Sequence, residues 1–382
     1  MVDLDDRPDI VIKYTAADAT NSSLVPFVFT HDAVSHSIQR IYQLAIGGGS
    51  GEGRVAIGQV DADAQAEVFT ITRKLHCLDG QSLHEQWSVI SPIDRVWKSL
   101  AITDLNGDEV LEAIVGTGRN EVRPDAQYIH VFDARNGVPL WQSPGLGDSD
   151  TSLAYLRTAN IDGDPGVEII VGAERGAIYV VDGVSGQLQL TTANLELTSL
   201  ELTEENGERR LVVGDVAGQL AIRSATDGSL IREIGQYGAR IDGLQVANVA
   251  GGSAKDFIFV ANARLYIVFD KGDSVVPWTG PVVGSSAGRL DSMRVSDFDH
   301  DGYVEILLNL GTLGLDMFEI ADSHCEGDLD GDRFVGIEDL AVLLANFGRA
   351  TNLAYQGDVD RSGEVELADL ALLLRSVGND CR

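Results

Sequence analysis

D-F-D-H-D-G-Y-V-E-I-L-L-N, Asp297 to Asn309, sets carboxylates at alternate positions, Asp297, Asp299 and Asp301, then Gly302 and Glu305, and runs into a strand-like apolar segment. A loop with side-chain oxygens at positions one, three and five can fold them around one Ca2+, which takes six to eight oxygens at about 2.3–2.6 Å. The same spacing suits a solvated Asp-rich turn whose side chains bond their own backbone. One copy leaves both readings open, and recurrence along the chain bears on the choice.

The pattern recurs. Seven copies begin at Asp3, Asp61, Asp104, Asn160, Leu202, Asn248 and Asp297, spaced 42–58 residues apart and 49 on average, the length of one four-stranded propeller blade. The clearest relatives are D-L-N-G-D-E-V-L-E-A-I-V from Asp104 and N-I-D-G-D-P-G-V-E-I-I-V from Asn160. The short β-branched runs that follow, Ala113 to Val115 and Ile169 to Val171, predict strands buried on both faces. Other copies are degraded. Glu204 and Asn206 fall out of step, and Ala250 and Gly252 carry no ligand, so the loops at Leu202 and Asn248 are expected to stand without metal. The copies at Asp3 and Asp61 have Arg7 and Gln65 at the fifth position, which weakens both as cation loops.

A second sub-motif shares the period: an apolar strand, a turn opened by Asp, and a strand ending in an aromatic. Trp87, Trp141 and Trp278 each lie eight residues after the turn acids Asp79, Asp133 and Asp270. Regular placement of a large ring is what blade-to-blade packing requires. A tryptophan-lined ligand surface is the alternative. Each unit thus reads strand, acidic loop, strand, strand, turn, strand. The first lacks its leading strand, and the last shows no trailing hairpin after Leu315 to Ile320. Either the two ends complete one blade between them, or residues upstream of Met1 are missing.

Composition narrows the function. The 382 residues carry 28 Lys and Arg against 59 Asp and Glu, a net charge of −31 with a pI near 4.4. Such a surface repels phosphate backbones, which argues against nucleic acid and anionic membranes as partners. No run approaches the roughly 18 apolar residues of a membrane span, and no signal peptide pattern precedes Asp3. Cys325 and Cys381 bracket the C-terminal segment; a bridge closing about 57 residues would stabilise by about 4 kcal/mol. That expected pair favours an oxidising, extracellular or cell-surface setting, and with it a processed or truncated N-terminus. Cys77, in the apolar strand Leu75 to Leu78, reads as a buried free thiol.

Catalytic signals are sparse. G-S-S-A-G, Gly284 to Gly288, imitates a nucleophile elbow but leads into another strand instead of a helix. The histidines show no HExxH or paired metal spacing. Gly47 to Gly53 is glycine-rich without a following Lys-Ser or Lys-Thr, which reads as a flexible connection instead of a phosphate loop.

From Cys325 the pattern changes. D-L-D-G-D-R-F-V-G-I-E-D, Asp328 to Asp339, and D-V-D-R-S-G-E-V-E-L-A-D, Asp358 to Asp369, place the closing acid at position twelve, where a bidentate carboxylate completes a Ca2+ loop. Helical spacing follows in both, Leu340, Leu343, Leu344 and Phe347, then Leu370, Leu373, Leu374 and Val377, with Gly348 and Gly378 as stops.

The repeats resemble FG-GAP and VCBS β-propellers of integrin-like architecture, and their turns with Trp are similar to quinoprotein-type blades. The resemblance covers residues 1–322 and implies an all-β fold of about seven blades with Ca2+ in the better loops. Carried over, the ligands are Asp297, Asp299, Asp301 and Glu305; Asp104, Asn106, Asp108 and Glu112; and Asn160, Asp162, Asp164 and Glu168. Residues 323–382 resemble a dockerin type I module, a small helical domain with two EF-hand-like calcium loops that binds cohesin domains in bacterial cell-surface assemblies. Its implied ligands are Asp328, Asp330, Asp332, the Phe334 carbonyl and Asp339, then Asp358, Asp360, Ser362, the Glu364 carbonyl and Asp369. Arg333 replaces the usual glycine of the first loop, and Ile337-Glu338 and Leu367-Ala368 stand where familiar dockerins often show Ser-Thr to the cohesin, so a different partner preference is implied. The expectation is a secreted, non-catalytic calcium-binding propeller that binds glycan or protein and is tethered to a cohesin-like partner. A polysaccharide lyase or glycoside hydrolase on the same scaffold is the alternative, since dockerins accompany such enzymes of polysaccharide catabolism. A quinone-dependent dehydrogenase ranks third.

Overall fold

A computed structural model describes residues 9–17, 24–32, 37–43, 54–91, 96–119, 126–147, 150–205, 207–249, 255–270, 275–283, 293–296, 304–309, 315–319, 327–329, 334–349, 357, 359 and 364–378. Strands follow one another in simple antiparallel order, giving seven sheets. The first has three strands, β1 (Asp9–Ala17), β2 (Leu24–Asp32) and β3 (Ser37–Gln43). The second has β4 (Val55–Gly58), β5 (Glu67–Ile71), β6 (Lys74–Leu78) and β7 (Glu85–Ile90); the third has β8 (Trp97–Thr103), β9 (Glu112–Thr117), β10 (Ile129–Asp133) and β11 (Pro139–Gln142). The fourth comprises β12 (Leu153–Ala159), β13 (Glu168–Ala173), β14 (Ile178–Val181) and β15 (Leu188–Thr191). The fifth comprises β16 (Leu197–Glu205), β17 (Glu208–Asp215), β18 (Gln219–Ser224) and β19 (Leu230–Gln236). The sixth is β20 (Asp242–Ala247), β21 (Asp256–Ala261), β22 (Arg264–Asp270) and β23 (Val275–Val282), and the seventh is β24 (Met293–Ser296), β25 (Glu305–Asn309) and β26 (Leu315–Glu319). The protein is therefore mostly β, built from repeated four-stranded antiparallel sheets, with two C-terminal helices. The first and last sheets each have three strands among the described residues.

Continuous apolar strands arise where a sheet is sandwiched between two others, as the fourth is between the third and the fifth. All six residues of β13 are buried. Ile169 and Val171 join a core with Ile114, Ile129 and Val131 of the third sheet, whereas Ile170 joins Leu200, Leu211 and Val213 of the fifth. Successive side chains point to opposite faces, so a strand between two neighbours has no polar side to show. The leading strands of successive sheets lie side by side, β4 by β8, β8 by β12, β12 by β16 and β16 by β20. One polar ladder crosses three of them at a single level. Arg157 Nε donates to Glu201 Oε2 at 2.8 Å, and Gln245 Nε2 donates to Glu201 Oε1 at 3.0 Å.

The tryptophans at the common place are wedges where the next sheet's turn is described. A Cβ on Gly137 would come within 2.7 Å of the Trp87 ring, and one on Gly186 within 2.8 Å of the Trp141 ring. Both glycines have φ near +70°. Glycine is thus demanded twice, by backbone conformation and by the neighbour's ring. Leu190 substitutes for the tryptophan in the fourth sheet, near Gly228 of the fifth. Cys77 is buried and free, and burial, with Glu67, Asp61 and Asp79 nearby, pushes its thiol well above the usual range.

Helices α1 (Ile337–Asn346) and α2 (Leu367–Ser376) are thirty residues apart in sequence and related by an internal repeat. Gly348, at the end of α1, donates to Val365 O at 2.8 Å, and Gly378, at the end of α2, donates to Val335 O at 2.9 Å. Val335, Val365, Leu343, Leu373 and Leu329 form the small core. The expected stops hold, with φ of +77° at Gly348 and +91° at Gly378. The chain divides into two compact units, one with the first six sheets and the other with nearly all of the seventh and both helices. The boundary expected at 322/323, Cys325 and Cys381, and the Gly284–Gly288 stretch lie outside the described residues.

Candidate functional site

Acidic loops join the first and second strands of the second, third and fourth sheets, and they share one construction. The position-three side chain accepts the position-five N–H, from Asp63 to Asp61 Oδ1 at 2.9 Å, Asp108 to Asn106 Oδ1 at 2.9 Å and Asp164 to Asp162 Oδ1 at 3.1 Å. The position-five carboxylate accepts the position-seven N–H, from Gln65 to Asp63, Val110 to Asp108 and Gly166 to Asp164, at 2.7–2.9 Å. These are the turns that Asp and Asn favour by bonding their own backbone. A glutamate opens the second strand and reaches back to the position-two N–H: Glu67 Oε2 to Val60 at 2.9 Å, Glu112 Oε2 to Leu105 at 2.8 Å, and Glu168 Oε2 to Ile161 at 2.8 Å.

Those bonds correct the register of the second-sheet loop. Counting from the glutamate, position one is Gln59, not Asp61, and Asp63 stands at position five in place of Gln65. The copy that seemed weakened is complete at positions three, five and nine. Aligning on the strand E-V-F-T-I with E-A-I-V and E-I-I-V finds this, whereas aligning on the first acid does not. Gln59 Nε2 donates to Asp61 O at 3.0 Å, and Asn160 Nδ2 donates likewise to Asp164 O, so an amide at position one braces the loop.

Two of these loops gather three carboxylates. Asp61, Asp63 and Glu67 have ligand oxygens within 4.8 Å of one another, as do Asp162, Asp164 and Glu168. In each trio the two aspartates are exposed and the glutamate is buried. The second oxygens, Glu67 Oε1 and Glu168 Oε1, are buried and accept no hydrogen bond. A buried carboxylate oxygen without a partner is costly; burial, joined by repulsion from the neighbouring aspartates, raises both glutamates above the usual carboxylate range. Three carboxylate oxygens close together, two of them on exposed aspartates, beside one unmet buried oxygen of the glutamate make each trio fit to coordinate a divalent ion.

Asp104, Asp108 and Glu112 do not converge to that distance. Asp104 is instead taken up by the loop backbone, accepting the N–H of Gly107 at 2.7 Å and of Glu109 at 2.8 Å. Although burial opposes it, these bonds hold its carboxyl below the usual range. The copy at Leu202 is lost as expected: Leu202 lies within β16, which pairs with β17 up to Glu205 and Glu208. Glu305 is buried at the start of β25, while Asp297, Asp299 and Asp301 lie outside the described residues.

Of the C-terminal ligands, Asp328 is half-buried and Phe334 and Glu364 are exposed, while Asp330, Asp332, Asp358, Asp360 and Ser362 lie outside the described residues. Asp339 and Asp369 are fully buried. Asp339 accepts the N–H of Leu329 and of Gly336, both at 2.6 Å, and Asp369 accepts that of Glu366 at 2.7 Å. Each therefore also caps its helix, where a carboxylate suits the unsatisfied N–H groups.

No family model matches the chain, and no curated protein matches it. Among solved structures it is similar to BBS1N in complex with ARL6DN, with a TM-score of 0.56 and 13% identity over 82% of this chain and 92% of that one. It is also similar to the Dos1 propeller, with a TM-score of 0.51 and 12% identity over 78% and 75%, and to BamB from Moraxella catarrhalis, with 0.50 and 15% over 82% and 86%. At such identities the likeness shows the fold, a propeller-like, multi-bladed β-sheet protein. No helix among the described residues is long and apolar enough to cross a membrane.

Proposed function

We propose that this chain is a secreted calcium-binding propeller of FG-GAP/VCBS type, residues 1–322, that binds glycan or protein and is tethered to a cohesin-like partner through a dockerin-like module, residues 323–382. The observation that carries the metal half is the buried, unpartnered second oxygen of Glu67 and of Glu168, each in a trio with two aspartates. A turn held only by its own backbone has no use for that oxygen. A cation between the acids would satisfy it and offset their mutual repulsion.

Support for the tether comes from the C-terminal repeat. Ile337 and Leu367, at matching places in the two units, are 75% and 72% exposed, and the pairs Leu344 with Leu374 and Phe347 with Val377 are exposed as well. Only Leu343 and Leu373 of the helical stripes are fully buried. An apolar set left open twice by the same repeat suits a protein partner.

Titrating the chelated chain with Ca2+ tests the metal reading: Glu67→Gln and Glu168→Gln are each expected to remove one bound ion. A stoichiometry unchanged by both would overturn it. For the tether, immobilised cohesin domains are expected to retain the full chain in Ca2+ and release it in EDTA, and Ile337→Lys with Leu367→Lys should abolish retention.

A further inference from the structure

The acidic loops lie at one end of the fourth sheet, and a cavity of about 510 Å3 opens at the other, within the range of about 300–1,000 Å3 that takes a small ligand. Its wall includes the β13–β14 turn, Glu174 to Ala177, together with Arg119, Thr151, Ser152 and Asn194. The six residues of β13 separate this turn from Glu168 by about 20 Å at strand rise, so the cavity is distinct from the metal trio.

Arg175 stands at the tip of that turn with φ of +56°, a left-handed conformation that side chains rarely adopt. The turn is held by Gly176 N–H to Ala173 O at 2.9 Å and Arg175 N–H to Leu197 O at 2.8 Å. In the fifth sheet the matching sequence positions are Val216 and Ala217, and the left-handed residue there is Gly218, with φ of +89°. Glycine takes the left-handed place there, whereas the fourth sheet spends strain on an arginine whose side chain lines the cavity, and that pairing of strain with placement points to function. Its guanidinium forms no ion pair among the described residues. Glu174, beside it, is answered by Arg240 at 3.7 Å.

The rest of the wall is polar, with Arg119 and Asp150 adding one charge of each sign beside hydroxyl and amide groups. Ser152 Oγ accepts the Arg119 N–H at 3.0 Å, and Asn194 Oδ1 accepts the Glu196 N–H at 2.9 Å, which fixes both side chains. Tyr179 and Thr151 add further hydroxyls. With Glu174 facing Arg240 and Arg119 and Asp150 offsetting each other in charge, the fixed small polar groups beside the Arg175 guanidinium suit a ligand rich in hydroxyls with one carboxylate, which Arg grips with two parallel N–H bonds. A net charge of −31 disfavours a long polyanion. Resting on the reading of the propeller as a binding module, we infer that this cavity binds an oligosaccharide carrying an isolated uronate, with Arg175 on the sugar carboxylate.

Calorimetry on the full chain in Ca2+ tests this with a xylo-oligosaccharide bearing one glucuronosyl residue and with its unsubstituted counterpart. The acidic sugar is expected to bind at least tenfold more tightly, and Arg175→Gly to remove that preference without lowering the melting temperature, since glycine accepts the left-handed backbone. Arg175→Lys should fall between the two. Equal affinity for both sugars, undiminished preference in Arg175→Gly, or no binding of either would overturn the assignment. None of these outcomes alters the Ca2+ stoichiometry or cohesin retention, so the proposed function is judged separately.

Discussion

Glu168 divides its carboxylate between two tasks, with Oε2 holding the Ile161 N–H at 2.8 Å while Oε1 is buried without a partner. Glutamine can keep the first and drop the charge of the second. Glu168→Gln is therefore expected to bind one Ca2+ fewer and, in EDTA, to be more stable than the parent by about 1–3 kcal/mol. A lower melting temperature in EDTA would contradict the argument. His130 offers a second residue-scale test. It is buried among Trp97, Tyr128 and Phe132, and burial pushes its pKa down to about 4 from 6.5. The unfolded chain then takes up the proton first, so the stability is fully present above pH 6.5 and is lost as pH falls through 4, by about 3 kcal/mol in all. Denaturant melts of His130→Phe should lack that part of the acid loss. The acids of the loops were legible as candidates from spacing alone. Which of their oxygens is left over was not, because that depends on backbone N–H groups brought near by folding.

At the scale of elements, the turn glycines tie one sheet to the next. Gly186→Ala would strain a φ of +70° and drive a Cβ to within 2.8 Å of the Trp141 ring; a loss of about 2–4 kcal/mol is expected in chemical denaturation. Combining it with Trp141→Ala should recover part of that loss if the ring contact is the cause, and the two losses should simply add if backbone strain alone is responsible. The regular tryptophan spacing already indicated packing, and for Trp87 and Trp141 it is packing. The strands were readable too, because burial on both faces writes a continuous apolar run. Loop register was harder. Asp61 matched the first acid of its relatives by identity, while the true correspondence runs through Gln59 and the strand-opening Glu67. In the helices, apolar spacing marked Leu344 and Phe347 as it marked Leu343, but only Leu343 is in the core.

For the whole molecule, metal should stabilise by parts. Ca2+ at about a hundredfold over its dissociation constant adds about 2.7 kcal/mol per site by linkage. The C-terminal core is small, so chelation of the full chain is expected to raise hydrogen exchange in α1 and α2 first, then in the loops preceding Glu67 and Glu168. The tight β16–β17 connection, which has no acidic loop, should be unaffected; equal loss of protection there would refute the assignment of metal to the loops. By itself the sequence determined the repeat, the buried strands, the helices with their glycine stops and the residue types of the loops, since these follow from local spacing and polarity. Only the tertiary structure decided which carboxylates converge, which helical side chains stay open and where Arg175 meets Ser152 and Asn194 in one cavity. Those outcomes depend on the approach of segments distant in sequence, and the burial that leaves an oxygen unmet exists only once neighbouring sheets have closed over it.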